Sequence, residues 1–171
     1  MNKAEEAQLV RLLSKLEAGF LPYDVFVEIA RLVVLSVIEF VPLRQNEKGE
    51  TEVLLLSRGD DDPIWPGELH TPGTVVRPTD TEGDIYLAFE RILKDELKGT
   101  KTSEPHYVGS SLHKSKRGME QAQIYWVEVQ AESRVGGFYP LNELPANIME
   151  SQVAFINQAA SNYENYKNSS S

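Results

Sequence analysis

Apolar positions along this chain follow two different periods, and the switches between them mark its elements. Residues 4–18 place Leu9, Leu12, Leu13 and Leu16 at i, i+3, i+4 and i+7, which predicts a helix ended by Gly19. Its leucine stripe either covers one end of the core or meets a second copy of the chain in a homodimer. Pro22 and Asp24 predict a short second helix to about Arg31. At 32–43 the pattern becomes a nearly continuous Val, Ile and Leu run, which fits a buried strand; Ser36 and Glu39 interrupt it. The NEKG turn at 46–49 and the apolar run at 53–56 then predict a hairpin.

Residues 58–67 read as a loop with Asp60, Asp61 and Asp62, two prolines and Trp65. Such an acidic run is usually solvated. Residues 69–71 form a short strand, Pro72-Gly73 bend the chain, and Val75-Val76 return briefly to strand. Pro78, Thr79, Asp80 and Gly83 make a loop, after which Thr81 or Asp84 caps a helix, with Glu82 near its positive end. Ile85, Ala88, Phe89, Ile92 and Leu93 form its buried stripe. Arg91 and Asp95 are four apart, as are Ile92 and Glu96, so each pair shares a helix face. Beyond a polar linker, strands are predicted at 106–112 and 121–130, separated by the basic turn HKSKRG at 113–118. Gly136-Gly137 turn the chain into an aromatic segment at 138–144. A last helix at 149–163 carries Met149, Val153, Ile156 and Ala160 on one side. This order divides the chain into an N-terminal helical segment (1–31), an α/β domain (32–165) and a flexible tail (166–171). Mixed strands with helices on both faces predict an α/β/α sandwich plus the N-terminal helix.

Composition narrows the function. A chain of 171 residues is one domain with room for a core. The absence of cysteine excludes disulfides, thiolate zinc sites and a cysteine nucleophile. With 17 basic and 26 acidic residues the net charge is −9, which argues against nucleic acid as a partner. The apolar run at 32–41 is too short to span a bilayer, and the N-terminus lacks a signal-type apolar core, so no membrane partner and a cytoplasmic location are expected. No Ser/His/Asp set, P-loop or GxGxxG pattern is present.

The stretch LHTPGTVVRPTDTEGDIYLAFERILKDELKG at 69–99 resembles a Nudix box, G-x5-E-x7-R-E-U-x-E-E-x-G-U with U aliphatic. Arg91, Leu93, Asp95 and Glu96 fall on its R, U and E-E positions. The run AFERILKDEL is similar to the helix of GDP-mannose mannosyl hydrolases, a divergent Nudix branch, and HTPGTVV to the strand and Pro-Gly-Gly turn before the helix. The pattern departs at four places. Ile92 replaces the glutamate after the arginine, and Thr74 replaces the second glycine. Counting back from Arg91 puts the first glutamate position on Gly83 and counting forward from Thr74 puts it on Asp80, so the loop holds three extra residues. Gly99 closes the box one residue late.

The resemblance implies a Nudix-like α/β/α fold. It also implies a metal-dependent hydrolase acting on a nucleoside diphosphate linked to another moiety, a nucleotide sugar among them, with Mg²⁺ or Mn²⁺ as cofactor. In that reading Glu96 and Asp95 hold the metal, and Glu132, six residues before Phe138, adds a ligand. Arg91 orients carboxylates or pairs with Asp95. His113 serves as base, with His106 and Glu120 as further downstream candidates. Lys116 and Arg117 receive phosphate, and Gly73 and Thr74 meet the substrate. His70, Trp65 and Tyr139 either face the substrate or pack in the core. The departures imply the alternative: a Nudix-fold protein that binds such a small molecule and hydrolyses it weakly or not at all.

Overall fold

The apolar run becomes β1 (Val34–Gln45), the strand around which the sheet is assembled. It is described here from a computed structural model that covers residues 1–19, 21–80 and 85–169. The NEKG turn returns the chain into β2 (Thr51–Ser57), with Leu43 opposite Val53, so the predicted hairpin forms. β3 (Leu69–His70) pairs with β2, and β4 (Gly73–Val75) pairs with β1, placing Gly73 opposite Glu39. β5 (His106–Lys114) and β6 (Met119–Glu128) form a second antiparallel pair, and β6 lies parallel to β1 over ten residue pairs. β7 (Gly137–Pro140) joins the far side of β2. The order is β3-β2-β1-β6-β5, a mixed seven-stranded sheet.

Alternation along β1 gives the sheet two apolar faces. Leu35, Val37, Val41 and Leu43 point to one side, with Ala122, Ile124 and Trp126 of β6. That side is covered by α4 (Glu150–Ser169) through Phe155, Ile156, Ala159, Ala160 and Tyr163, and at its edge by α2 (Tyr23–Leu32) through Phe26 and Ala30. Ile38, Phe40 and Leu54 point to the other side, where α3 (Tyr86–Arg91) packs Ala88 and Phe89 against them. The α/β/α sandwich is therefore formed.

Three expectations change. α1 (Lys3–Leu13) stops at Ser14 rather than near Gly19, and it buries none of its residues, so the leucine stripe covers no part of this chain's core. It is held locally by a capping box, in which the Asn2 side chain accepts from Ala4 and Glu5 and the Glu5 carboxylate accepts from the Asn2 backbone. The chain end is helical to Ser169 rather than frayed from residue 166, because Lys167 reaches Glu128 at 2.9 Å. Strand β5 extends through His113 and Lys114, so the basic turn is confined to residues 115–118. Among the described residues no helix is long and apolar enough to cross a membrane. The capping roles expected of Thr81 and Asp84, together with Glu82 and Gly83, lie outside the described residues.

Candidate functional site

A cavity of about 460 Å³ lies on the α4 side of the sheet, between β1, α2, the start of α4, and Glu17, Gly19 and Leu21 of the N-terminal segment. Its walls are apolar: Leu21, Phe26, Ile29, Leu35, Val37 and Val75. Its polar groups arrive from register. Glu39 replaces an apolar residue on the inward face of β1, and parallel pairing sets Glu120 of β6 beside Leu35, two pleat repeats away. Antiparallel pairing sets His113 opposite Glu120.

Glu120 is matched through Oε1. Arg117 Nε and Nη2 donate to its Oε1 at 2.9 and 2.8 Å, the Ser115 hydroxyl donates to Oε1 at 2.8 Å, and His113 Nε2 stands 3.6 Å from Oε2. Glu39 is not. It forms no ion pair among the described residues; Thr71 Oγ1 and Gln152 Nε2 donate to its Oε2 at 3.3 and 3.4 Å. Burial, reinforced by the charge of Glu120 and opposed by those two bonds and Arg117, pushes its carboxyl up to about 8. Gly73 makes this placement feasible: a Cβ there would stand 2.6 Å from a Glu39 carboxylate oxygen. His70 donates from Nδ1 to the Thr71 carbonyl at 2.7 Å, and burial first, then Arg58, pushes its imidazole down to about 4. Two buried nitrogens in the cavity wall, Arg58 Nε and His113 Nδ1, have no partner among the described residues.

The opposite side of the sheet carries the box helix, where packing has displaced coordination. Ile92 is fully buried against Phe40 and Tyr125 and belongs to the core. From Ile92 to Glu96 the helix widens into a π turn, closed by the Leu97 N–H to Ile92 carbonyl bond at 3.0 Å. The extra residue accounts for the late closing glycine: Gly99, at φ +74°, donates to the Leu93 carbonyl and ends the helix. It also turns the residues that follow by about 100° relative to a regular helix. The turn seats Leu97 in the core and leaves Asp95 exposed and Glu96 half-buried. Burial raises the Glu96 carboxyl above its usual range, Asp95 adds to the rise, and Arg58 and Lys98 oppose it.

Arg91 does not pair with Asp95. It reaches back to the loop, ion-pairing with buried Asp80 and donating to Thr74 Oγ1 at 3.0 Å and to the Val75 carbonyl at 2.8 Å. The loop carboxylate that counting forward from Thr74 assigned to the box is thus taken by the box arginine. Burial alone would raise Asp80, but the bonds from Arg91 and the Arg77 backbone hold it below the ordinary carboxylate range. Glu132 is exposed and faces Arg44 at 3.9 Å. Among the described residues no three His, Asp or Glu side chains gather into a group that could hold a metal. Among the described residues Glu96, Asp95 and Glu132, the donors expected for Mg²⁺ or Mn²⁺, do not gather into one group.

The remaining expected residues divide between the two sides. His113, Gly73, Thr74 and Arg117 line the cavity. Arg117 spends its charge on Glu120, and Lys116 pairs with Glu68, so neither is a free phosphate receptor. Trp65 is buried under the Arg117 guanidinium, 5.0 Å from the ring centre. Asp62 closes its own loop by accepting from the Ile64 and Trp65 backbones at 2.9 Å. Sequence reading passed over Glu39, Thr71, Gln152 and Arg58. Only Glu39 left a signal, as a lone acid within an apolar strand.

No family model matches the chain, and no curated protein matches it in sequence. Solved structures do. A mutT/nudix family protein from Listeria innocua superposes with a TM-score of 0.61 at 17% identity, covering 77% of this chain and 95% of the other. The NUDIX domain of Shewanella oneidensis NrtR, complexed with ADP ribose, gives 0.55 at 16%, covering 95% and 99%. The C. elegans Ap4A hydrolase gives 0.55 at 15%, covering 74% and 96%. The chain has the Nudix fold.

Proposed function

We propose that this protein binds a nucleotide-type small molecule, a nucleoside diphosphate joined to another moiety, and holds it without hydrolysing it. One observation carries this reading. The cavity side keeps an open pocket with unmatched polar groups, while at the box helix Ile92, the position of the motif's glutamate, belongs to the core. The apolar walls suit the uncharged rings of such a ligand. Arg58 pairs with Asp62 through Nη1 at 3.6 Å, but its Nε has no partner among the described residues and can give a charge-assisted bond to a phosphate oxygen. The NrtR domain that matches nearly the whole chain was solved with ADP ribose, and the C. elegans relative acts on Ap4A, both ligands of this chemistry.

Metal-dependent hydrolysis of the same ligand class is the second reading. Glu96, half-buried beside Asp95 at the end of the box helix, is the observation in its favour. Thermal unfolding with ADP-ribose, Ap4A and GDP-mannose, in EDTA and in Mg²⁺, tests the two. Binding alone stabilises by RT ln(1 + [L]/Kd), about 2.7 kcal/mol at a hundred times Kd, equally in both buffers and with the ligand recovered intact. Absence of stabilisation by any of the three ligands contradicts the binding reading. Metal-dependent product replaces it with the second.

A further inference from the structure

Among the described residues the carboxyl of Glu39 stands in the cavity wall with no cation paired to it. It stands on the central strand, where a neighbour at every second position is apolar. Among the described residues its Oε2 accepts from Gln152 Nε2 and shares the Thr71 hydroxyl with Gln152 Oε1, both at long range, and its Oε1 takes no bond. The cation that could pair with it, Arg117, is held by both Nε and Nη2 on Glu120. A carboxylate placed in such a wall without a cation is strongly disfavoured relative to the neutral acid. With Oε2 already accepting, the proton belongs on Oε1.

Resting on the reading that the cavity holds a nucleotide-type ligand, we infer that Glu39 selects the uncharged part of that ligand, its Oε1–H donating to a ring nitrogen or carbonyl oxygen. The carboxyl oxygen can at the same time accept from a neighbouring N–H, so Glu39 matches an edge that sets an acceptor beside a donor. A cationic ligand group is a poor fit, because Arg58, Arg77 and Arg117 line the same space. Burial that pushes Glu39 up to about 8 supports the neutral form at neutral pH. Charged and titratable groups also face this space from β6 (Glu120), β5 and its turn (His113, Arg117), β3 (His70), the loop after β2 (Arg58), the segment after β4 (Arg77) and the N-terminal segment (Glu17, Tyr23). The test must therefore separate Glu39 from them.

Isothermal titration of ADP-ribose into the protein and two variants, between pH 6 and 9.5, does so. For the unaltered chain affinity falls as pH rises through 8, approaching about tenfold per unit. Glu39→Gln, whose amide keeps a donor beside an acceptor and cannot ionise, binds within about threefold at pH 7 and loses that fall. Glu39→Leu keeps the volume and loses at least about tenfold at pH 7. A Glu39→Gln profile that still falls above pH 8, or Glu39→Leu binding as tightly as the unaltered chain, overturns the role of Glu39 while leaving the cavity a binding site. No binding to the unaltered chain at any pH overturns the binding reading and this inference with it.

Discussion

The two faces of the sheet have been put to opposite uses. On the α4 face, acids and bases sit in a cavity wall with their hydrogen-bonding capacity only partly filled. On the α3 face, the positions that resemble a metal-binding motif are occupied by core packing and by an arginine that has taken the loop's acid for itself. Among the described residues, one backbone thus carries an open cavity on one face and a packed box helix on the other. The difference lies in single positions, Ile92 and the π turn on one face and Glu39 on the other, rather than in the architecture.

Substitution at Ile92 has the largest expected effect. Ile92→Glu, which restores the motif's residue, places a carboxylate in a fully buried site and is expected to destabilise the fold by about 5 kcal/mol, without creating metal-dependent turnover. Denaturant unfolding and a turnover assay check both parts. A stable Ile92→Glu protein that hydrolyses ADP-ribose in Mg²⁺ would show that the two faces differ by one residue alone.

Arg91→Ala comes next. It leaves Asp80 buried without its cation and frees the Thr74–Val75 segment from α3, at an expected cost of about 3–4 kcal/mol in denaturant unfolding. Asp80 is held below its ordinary value of 3.8, so it contributes stability above that pH, and the contribution is lost as pH falls through its folded value. The gap between Arg91→Ala and the unaltered chain therefore narrows in acid.

Glu39 gives the opposite sign. Its carboxyl lies above the ordinary 4.5, so the native state is favoured fully below about 4.5 and loses stability as pH rises to about 8. Glu39→Gln is free of this loss, and its advantage over the unaltered chain grows by roughly 4 kcal/mol between pH 5 and 9. Parallel unfolding curves over that range would place Glu39 in a solvated setting instead. Glu96→Gln is the smallest: the account expects less than about 0.5 kcal/mol in stability and no change in ADP-ribose affinity.

Much of this was legible in the chain. The hairpin of β1 and β2, the buried stripe of α3 and the layered fold follow from periodicity, because each depends on neighbours close in sequence. The late closing glycine was visible as well, although only the hydrogen bond from Leu97 to Ile92 shows it to be the mark of a π turn. Other features depended on pairing across long separations. The parallel register of β1 with β6 brings Glu39 and Glu120 into one wall, and nothing local in either strand specifies it. The same holds for the partner of Arg91: helical spacing offered Asp95, whereas the fold supplied Asp80 from a turn eleven residues earlier. The exposed stripe on α1 shows the converse, a clean helical pattern that buries nothing in its own chain.

The central claim, binding without hydrolysis, is tested most directly by ³¹P NMR of the protein mixed with ADP-ribose and Mg²⁺ and followed for a day. The account predicts diphosphate resonances that shift and broaden on binding and remain at constant total intensity. Growth of phosphomonoester resonances that EDTA abolishes, and that Glu96→Gln also abolishes, would contradict it and return the box helix to catalysis.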